Sequence, residues 1–417
     1  MEDFQRPRQT QHIIIDFGSN TIKCGFNFES FPRLIVPNVI GKIKEKSFSP
    51  LKDYSEDFCG FDALYNSSSI DISYPRIENK GKFLTNEEGQ KTLESFFSYI
   101  LDQKLKVHDL PIFIVDSIFT SSKERETIAQ ILFEKFNIFQ LHFEPQSIMT
   151  LYSTSKTSGL VVQSGEMTTE IVPIIEGFII SQGICNFPIS GHEITKRFEN
   201  AYKDIFDINN VSNQYWMAQK IKEKFSEILP SSQAFEELMS KKDENKKEYV
   251  LPDGNIVELG NEIFEIPESI FNPNIIEVQS DNLPNTILDS INRCDISTRK
   301  ELVNNIILGG GNTLIKGFET RLKSEINGIK KGNCGIVSLK ERNYSAWIGS
   351  SGISSLSNFS SNKWISKTDY SKYGESLFEN DYLFNYSILS EEKTKTFVNE
   401  GMESAGIYKK YIMSEQL

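Results

Sequence analysis

The segment Asp16-Phe17-Gly18-Ser19-Asn20-Thr21-Ile22-Lys23 carries the parts of a phosphate-binding turn. Gly18 lets the backbone come close to a phosphate, and successive N–H groups would cradle its oxygens. Ser19 offers a hydroxyl donor and Lys23 a cation with the reach to meet phosphate. Asp16 would hold a metal-bound water, because Mg²⁺ keeps several waters when it binds. An ordinary hairpin turn is the other reading of the same residues. A second small-residue turn, Gln163-Ser164-Gly165-Glu166-Met167-Thr168-Thr169, recurs later in the same setting. A third, Gly309-Gly310-Gly311-Asn312-Thr313, stands between an apolar run and a helical pattern. Glycines there admit a ligand, and a helix start favours an anion, although a flexible connector would read alike. The three gain force together, in the order hairpin, hairpin, glycine loop.

Each turn needs an element to position it. His12 to Asp16 reads as a short buried strand, and alternation resumes at Thr21 to Phe26. Gly159 to Val162 and Ile171 to Gly177 repeat that strand–turn–strand pattern, which suggests two related α/β halves facing each other. Between them, Pro111 to Val115 reads as a strand. Ser121 to Phe136 reads as a helix with a serine N-cap, and Ile128, Ile131, Leu132 and Phe136 share one face. Gly191 to Ser240 reads as mostly helical, and Leu251 to Asn255 as the turn of a hairpin. Helices are expected over Asn282 to Arg293, capped by Asn282, and over Ser297 to Val303. A strand over Asn304 to Leu308 leads into the glycine loop, and a helix with Phe318, Leu322 and Ile326 follows. Strands alternating with helices place the chain in the α/β class with partly parallel sheet.

Composition narrows the function classes. The 417 residues are 38% hydrophobic and 24% charged, ordinary for a globular protein. No apolar run approaches the roughly 18 residues of a membrane span, and the N-terminus, Met1 to Gln11, is too polar for a secretory signal. The net charge of −12 argues against direct nucleic-acid or membrane binding. The lysine clusters at Lys42 to Lys46 and Lys241 to Lys247 are interleaved with acids and read as solvated loops. Cys24, Cys59, Cys185, Cys294 and Cys334 are scattered, with no metal or disulfide spacing. His12, His108 and His142 read as structural, and His192 as a surface histidine at a helix start. The stretch 379–417 holds Tyr382, Phe384, Tyr386, Phe397, Tyr408 and Tyr411, so part of it is expected to pack on the body or on a partner.

Longer segments carry a family resemblance. Tyr344-Ser345-Ala346-Trp347-Ile348-Gly349-Ser350-Ser351 resembles the actin segment Y-S-V-W-I-G-G-S. Trp364 to Tyr370 resembles W-I-S-K-Q-E-Y, Asp295 to Lys300 resembles D-V-D-I-R-K, and Tyr249 to Phe271 resembles the corresponding actin hairpin region. The chain thus resembles actin and the actin-related proteins, within the actin, Hsp70 and hexokinase superfamily, from about Ile13 to Leu377. The resemblance implies an actin-like ATPase fold with two similar α/β halves around a nucleotide cleft. It implies subdomain 1 over 1–37, 75–153 and 344–378, and subdomain 2 over 38–74. Subdomain 3 would cover 154–189 and 272–343, subdomain 4 would cover 190–271, and 379–417 would form a C-terminal extension.

Roles follow from the resemblance position by position. ATP or ADP, with Mg²⁺ or Ca²⁺, would meet Gly18, Ser19, Asn20, Thr21 and Lys23 at the first turn. Asp16 would lie in the metal's outer shell, and Gly165, Glu166 and Met167 would form the second phosphate turn. Lys222 and Glu223 match the adenosine-side K-E pair, Gly310, Gly311 and Asn312 would line base and ribose, and Gln146 matches the glutamine that places the attacking water. The departures are specific. Gln163 replaces the leading aspartate of the second turn, Met167 its second glycine, and Glu170 the histidine near the attacking water. Asn343, still expected to face the nucleotide, replaces a cleft lysine, and Gln219 an adenosine-side arginine. A neutral amide neither accepts a proton nor gives full charge to a hydrated metal, so ATP hydrolysis is expected to be slow or absent. Lys42 to Gly60 and Asn274 to Asn282 diverge where actin makes filament contacts. The expected function is a structural subunit of a cytoskeletal or ciliary assembly, in the cytoplasm, working with other actin-family subunits or complex proteins. A nuclear subunit of a chromatin-remodelling complex is the alternative, and an active superfamily kinase a minor one.

Overall fold

A computed structural model of the chain describes residues 11–43, 57–83, 85–209, 211, 213–241, 246–251, 254–356, 359, 364–374 and 376–379. The stretch 44–56, most of the second lysine cluster and the extension beyond 379 lie outside the described residues.

The first strands form as the β-branched runs dictate. β1 (Ile13–Phe17), buried throughout, turns back into β2 (Thr21–Phe26), and β2 pairs with β3 (Leu34–Pro37). β4 (Ile40–Ile43), β5 (Phe58–Cys59) and β6 (Ile70–Ser73) make a small separate sheet. β7 (Ile112–Asp116) adds parallel to β1, and β8 (Gln140–Pro145) adds parallel to β7. The second half begins with β9 (Gly159–Ser164) and β10 (Thr169–Ile175), an antiparallel pair like β1 and β2. Short strands β11 (Phe178–Ile179) and β12 (Cys185–Phe187) pair with β10. β13 (Lys247–Val250) and β14 (Ile256–Leu259) form the hairpin expected around Leu251 to Asn255. β15 (Ile306–Gly309) lies parallel to β9, and β16 (Ile336–Ser338) parallel to β15. β17 (Ile365–Ser366) returns to the edge of β8.

The two large sheets repeat one plan. The order β8-β7-β1-β2-β3 is matched by β16-β15-β9-β10-β11, strand direction for strand direction. The weak repeat of two hairpins in the sequence is therefore a repeat of architecture. Each half has its own apolar core, one around Phe96, Phe97 and Phe133, the other around Phe198, Phe206 and Phe318. A third cluster, with Ile14, Phe113, Val161, Val172, Ile307 and Trp347, joins the two sheets through the helices Gln146–Ser153 and Ser345–Ser354. These helices cross so closely that a Cβ on Gly349 would strike the Met149 carbonyl. That contact gives the Trp-Ile-Gly stretch its reason.

Local signals fared well. Ser121 caps the helix Ser122–Glu134 through a capping box with Glu124, and Asn282 caps Leu283–Asn292. Two readings need correction. The strand expected from Asn304 starts at Ile306, because Asn304 still closes the helix Ile296–Asn304. His192 is half-buried, its ring Nδ1 lying 3.0 Å from the Tyr215 hydroxyl, so it is part of a polar cluster and not a surface residue.

Candidate functional site

The three turns converge. The turn after β1, the turn after β9 and the glycine loop after β15 all open at the carboxyl ends of their strands, where ligands of α/β sheets bind. They line one cavity of about 640 Å³ between the halves. Gly18, Ser19, Asn20, Thr21, Lys23, Gln146, Gln163, Gly165, Glu166, Met167, Lys222, Glu223, Gly310, Gly311, Asn312 and Asn343 all face it. Asp16 stands just behind the wall, only 2% exposed.

The first turn is held from below. Asp16 sits opposite Lys23 in the β1–β2 register. Its carboxylate takes the Lys23 ammonium at 3.0 Å and the Gln146 side-chain amide at 2.6 Å. The Asn38 amide donates to the Gly18 carbonyl at 3.0 Å, and a Cβ on Gly18 would come within 2.6 Å of the Thr21 carbonyl. The lysine and the water-placing glutamine of the expected site are thus both tied to one buried acid.

The second turn is anchored to the start of the helix Gly191–Ala201. The Gly191 amide donates to the Gly165 carbonyl at 2.9 Å and the His192 amide to the Glu166 carbonyl at 2.7 Å. The Glu166 side chain points away from the turn's backbone into a buried cluster. It accepts from Tyr215 at 2.5 Å, Lys222 at 3.1 Å and Thr195 at 3.3 Å. Burial opposes its charge, but Lys222, the Tyr215 hydroxyl and nearby His192 hold its carboxyl below the ordinary range. Lys222 is correspondingly committed: it also donates to the Gly191 carbonyl at 2.9 Å. Gln219 turns to Glu223 at 2.8 Å and is buried off the cavity wall.

Positions that diverge from the actin pattern have found partners of their own. Gln163 accepts from the Thr150 hydroxyl at 3.0 Å. Glu170 lies beside Gln163 in the β9–β10 register but behind the wall, fully buried. It takes the Ser117 hydroxyl from the loop after β7 and the Thr168 hydroxyl at 3.3 Å. Burial pushes its pKa up to about 7, against the pull of Ser117, the Ile118 backbone amide and Thr168, while Asp116 adds to the rise. The Glu170–Ser117 bond therefore joins the two halves at the floor of the cleft.

Several wall residues escaped the sequence reading. Arg76 comes from the short helix Pro75–Glu78, Lys80, Gly81 and Lys82 come from a strap that follows it, and Ser117, Thr120 and Asn186 also line the cavity. Their signal was slight: an Asn-Lys-Gly-Lys turn between a proline-started helix and Phe83. The strap meets the second turn, where a Cβ on Gly81 would come within 3.0 Å of the Met167 Cβ. Above it the cleft lips touch, with Tyr74 donating to Asn213 at 2.9 Å and its ring 5.2 Å from that of Tyr215.

Comparison with known proteins agrees with this geometry. A sequence model of the actin family matches residues 8–382. An actin-like protein of Neurospora crassa is 32% identical over 366 residues, covering 86% of this chain and 94% of its own length. With an α/β fold of two matched halves and a match over nearly the whole chain, the protein belongs to the actin family.

Proposed function

We propose that this chain is a divergent actin-related protein that holds ATP or ADP as a structural ligand and works as a subunit of a cytoskeletal or ciliary assembly. The observation that carries the reading is the convergence of the three turns on one cavity, which is of the size ligand pockets usually have. A nucleotide fits the residues present. Gly310 has φ +85°, and a Cβ there would strike the Ser164 backbone, whereas one on Gly311 would meet open space. The loop can therefore lie flat against a ligand. For a divalent cation, no group of three or more acidic, histidine or cysteine side chains could hold one among the described residues. The ion would be held by phosphate and water, with Asp16 reaching it only through water.

The same geometry supports weak or absent hydrolysis. Orienting water and stabilising charge on the terminal phosphate needs groups free to face it. Gln146 is bonded to Asp16, Gln163 to Thr150, and Glu170 is buried behind the wall. Of the acids that do face the cavity, Glu124 caps its own helix, Glu166 is paired with Lys222 and Glu223 with Lys220. A scaffold whose halves are pinned by an unhydrolysed nucleotide suits a permanent subunit better than a timed polymer. No helix of the described residues is long and apolar enough to cross a membrane.

The test is the nucleotide content of gently purified protein, with and without Mg²⁺, by extraction and chromatography. Stoichiometric ATP that persists for hours supports the scaffold. Stoichiometric ADP formed from added ATP overturns the claim of weak hydrolysis, and an empty cleft that takes up neither nucleotide overturns the reading itself.

A further inference from the structure

Among the described residues, five cationic side chains line the cavity, and three are already engaged. Lys23 is paired with Asp16 at 3.0 Å and Lys222 with Glu166 at 3.1 Å. Arg76, buried, spends its guanidinium on backbone: it donates to the Phe17 carbonyl at 2.7 Å and to the Gly81 carbonyl at 2.8 Å. Lys80 and Lys82 differ. Both line the cavity, and neither makes a side-chain hydrogen bond or ion pair with another described residue.

Their backbone is fixed. The Gly81 amide returns a 2.6 Å bond to the Arg76 carbonyl, and the Phe83 amide donates to Glu124 at 2.6 Å. Gly81 packs on Met167. Lys80 is held at φ +53°, a conformation that costs a lysine about 1 kcal/mol or more and persists only where the surroundings enforce it. The strap thus ties the first turn, through Phe17, to the second turn, through Met167. On either side of Gly81, which lies against Met167 of the second turn, it carries two exposed, unmatched charges on the cavity wall.

We propose that Lys80 and Lys82 bind the terminal phosphate of a nucleoside triphosphate and make the cleft prefer a triphosphate over a diphosphate. The proposal rests on the nucleotide reading above and adds to it the group that senses phosphate number. The paired lysine of the first turn cannot serve that end alone, because its charge is balanced by Asp16 whatever the ligand carries.

The experiment is calorimetric titration of stripped full-length protein with ATP, ADP and adenosine in Mg²⁺, for the wild type, Lys80→Gln/Lys82→Gln and Lys80→Arg/Lys82→Arg. Loss of charge-assisted bonds predicts ATP binding about 10- to 100-fold weaker in the glutamine variant, a smaller loss for ADP and none for adenosine. The arginine variant should recover most of the ATP affinity, and unfolding midpoints should match. ATP affinity unchanged in the glutamine variant overturns the proposal while leaving the nucleotide reading standing. So does an equal loss for ATP and adenosine, which would mean that the strap only shapes the cleft. A wild type that binds none of the three overturns the nucleotide reading, and this proposal with it.

Discussion

Replacing Glu170 with glutamine should make the protein more stable at alkaline pH and remove a distinct part of its pH dependence. Glu170 is fully buried between the halves, and its pKa rises from 4.5 to about 7. The folded state therefore holds its proton over a range in which the unfolded chain has released it. The sign follows: between those two values the native state binds more protons than the unfolded state, so stability falls as pH rises. At about 1.36 kcal/mol for each pH unit, the full effect is about 3.4 kcal/mol. Linkage places about 2.5 kcal/mol of it between pH 5 and pH 8. A loss of that size is a large share of the roughly 5–15 kcal/mol that stabilises a typical domain. Glutamine keeps the shape and the donor of the protonated acid without titrating. Denaturant unfolding of wild type and Glu170→Gln at pH 5, 6, 7 and 8, at matched nucleotide, gives the difference directly. The gap should be smallest at pH 5, about 1 kcal/mol, and widen by about 2.5 kcal/mol toward pH 8, the variant being the more stable. Parallel curves, or a variant that loses ground as pH rises, would refute the claim that a protonatable carboxyl at the cleft floor joins the halves.

The second turn offers a contrasting case: Glu166→Gln leaves the Lys222 ammonium, whose side chain is 7% exposed, without its counter-charge. Breaking a buried pair from one side should cost about 3–5 kcal/mol in denaturant unfolding, and Glu166→Gln with Lys222→Met should cost distinctly less. Gly310→Ala forces a side chain into a φ of +85° against Ser164, so about 2 kcal/mol or more of stability should be lost, together with nucleotide retention. Met167→Gly removes the contact with Gly81, and displacement of a bound fluorescent nucleotide should become several-fold faster in a stopped-flow measurement. An unchanged release rate would mean that the strap does not limit escape.

Much of the fold could be read from neighbouring residues. The β1–β2 and β9–β10 hairpins announce themselves because apolar runs flank small-residue turns a few positions long. Ser121 and Asn282 read as caps because a cap bonds within three residues of itself. The glycine loop after β15 was legible for the same reason, although the strand's first residues were not, since Asn304 has helical neighbours as good as its strand ones. His192 was misread because what buries it, Tyr215, lies on a different helix. Arg76 and the strap were missed because their partners, Phe17 and Met167, are far along the chain.

The sequence by itself determined the architecture and the inventory of the cleft, because strand periodicity, turn residues and long family-like segments are properties of consecutive positions. Only the tertiary structure decided which of those groups remain free to act. Asp16 claims both Lys23 and Gln146, Glu166 claims Lys222, and Glu170 is folded away behind the wall. Lys80 and Lys82 are left without a counter-charge among the described residues. Pairing of this kind depends on distances of a few ångströms between residues far apart in the chain, and on burial that strengthens each charge's claim on its neighbour. Neither quantity exists until the two halves have closed on each other.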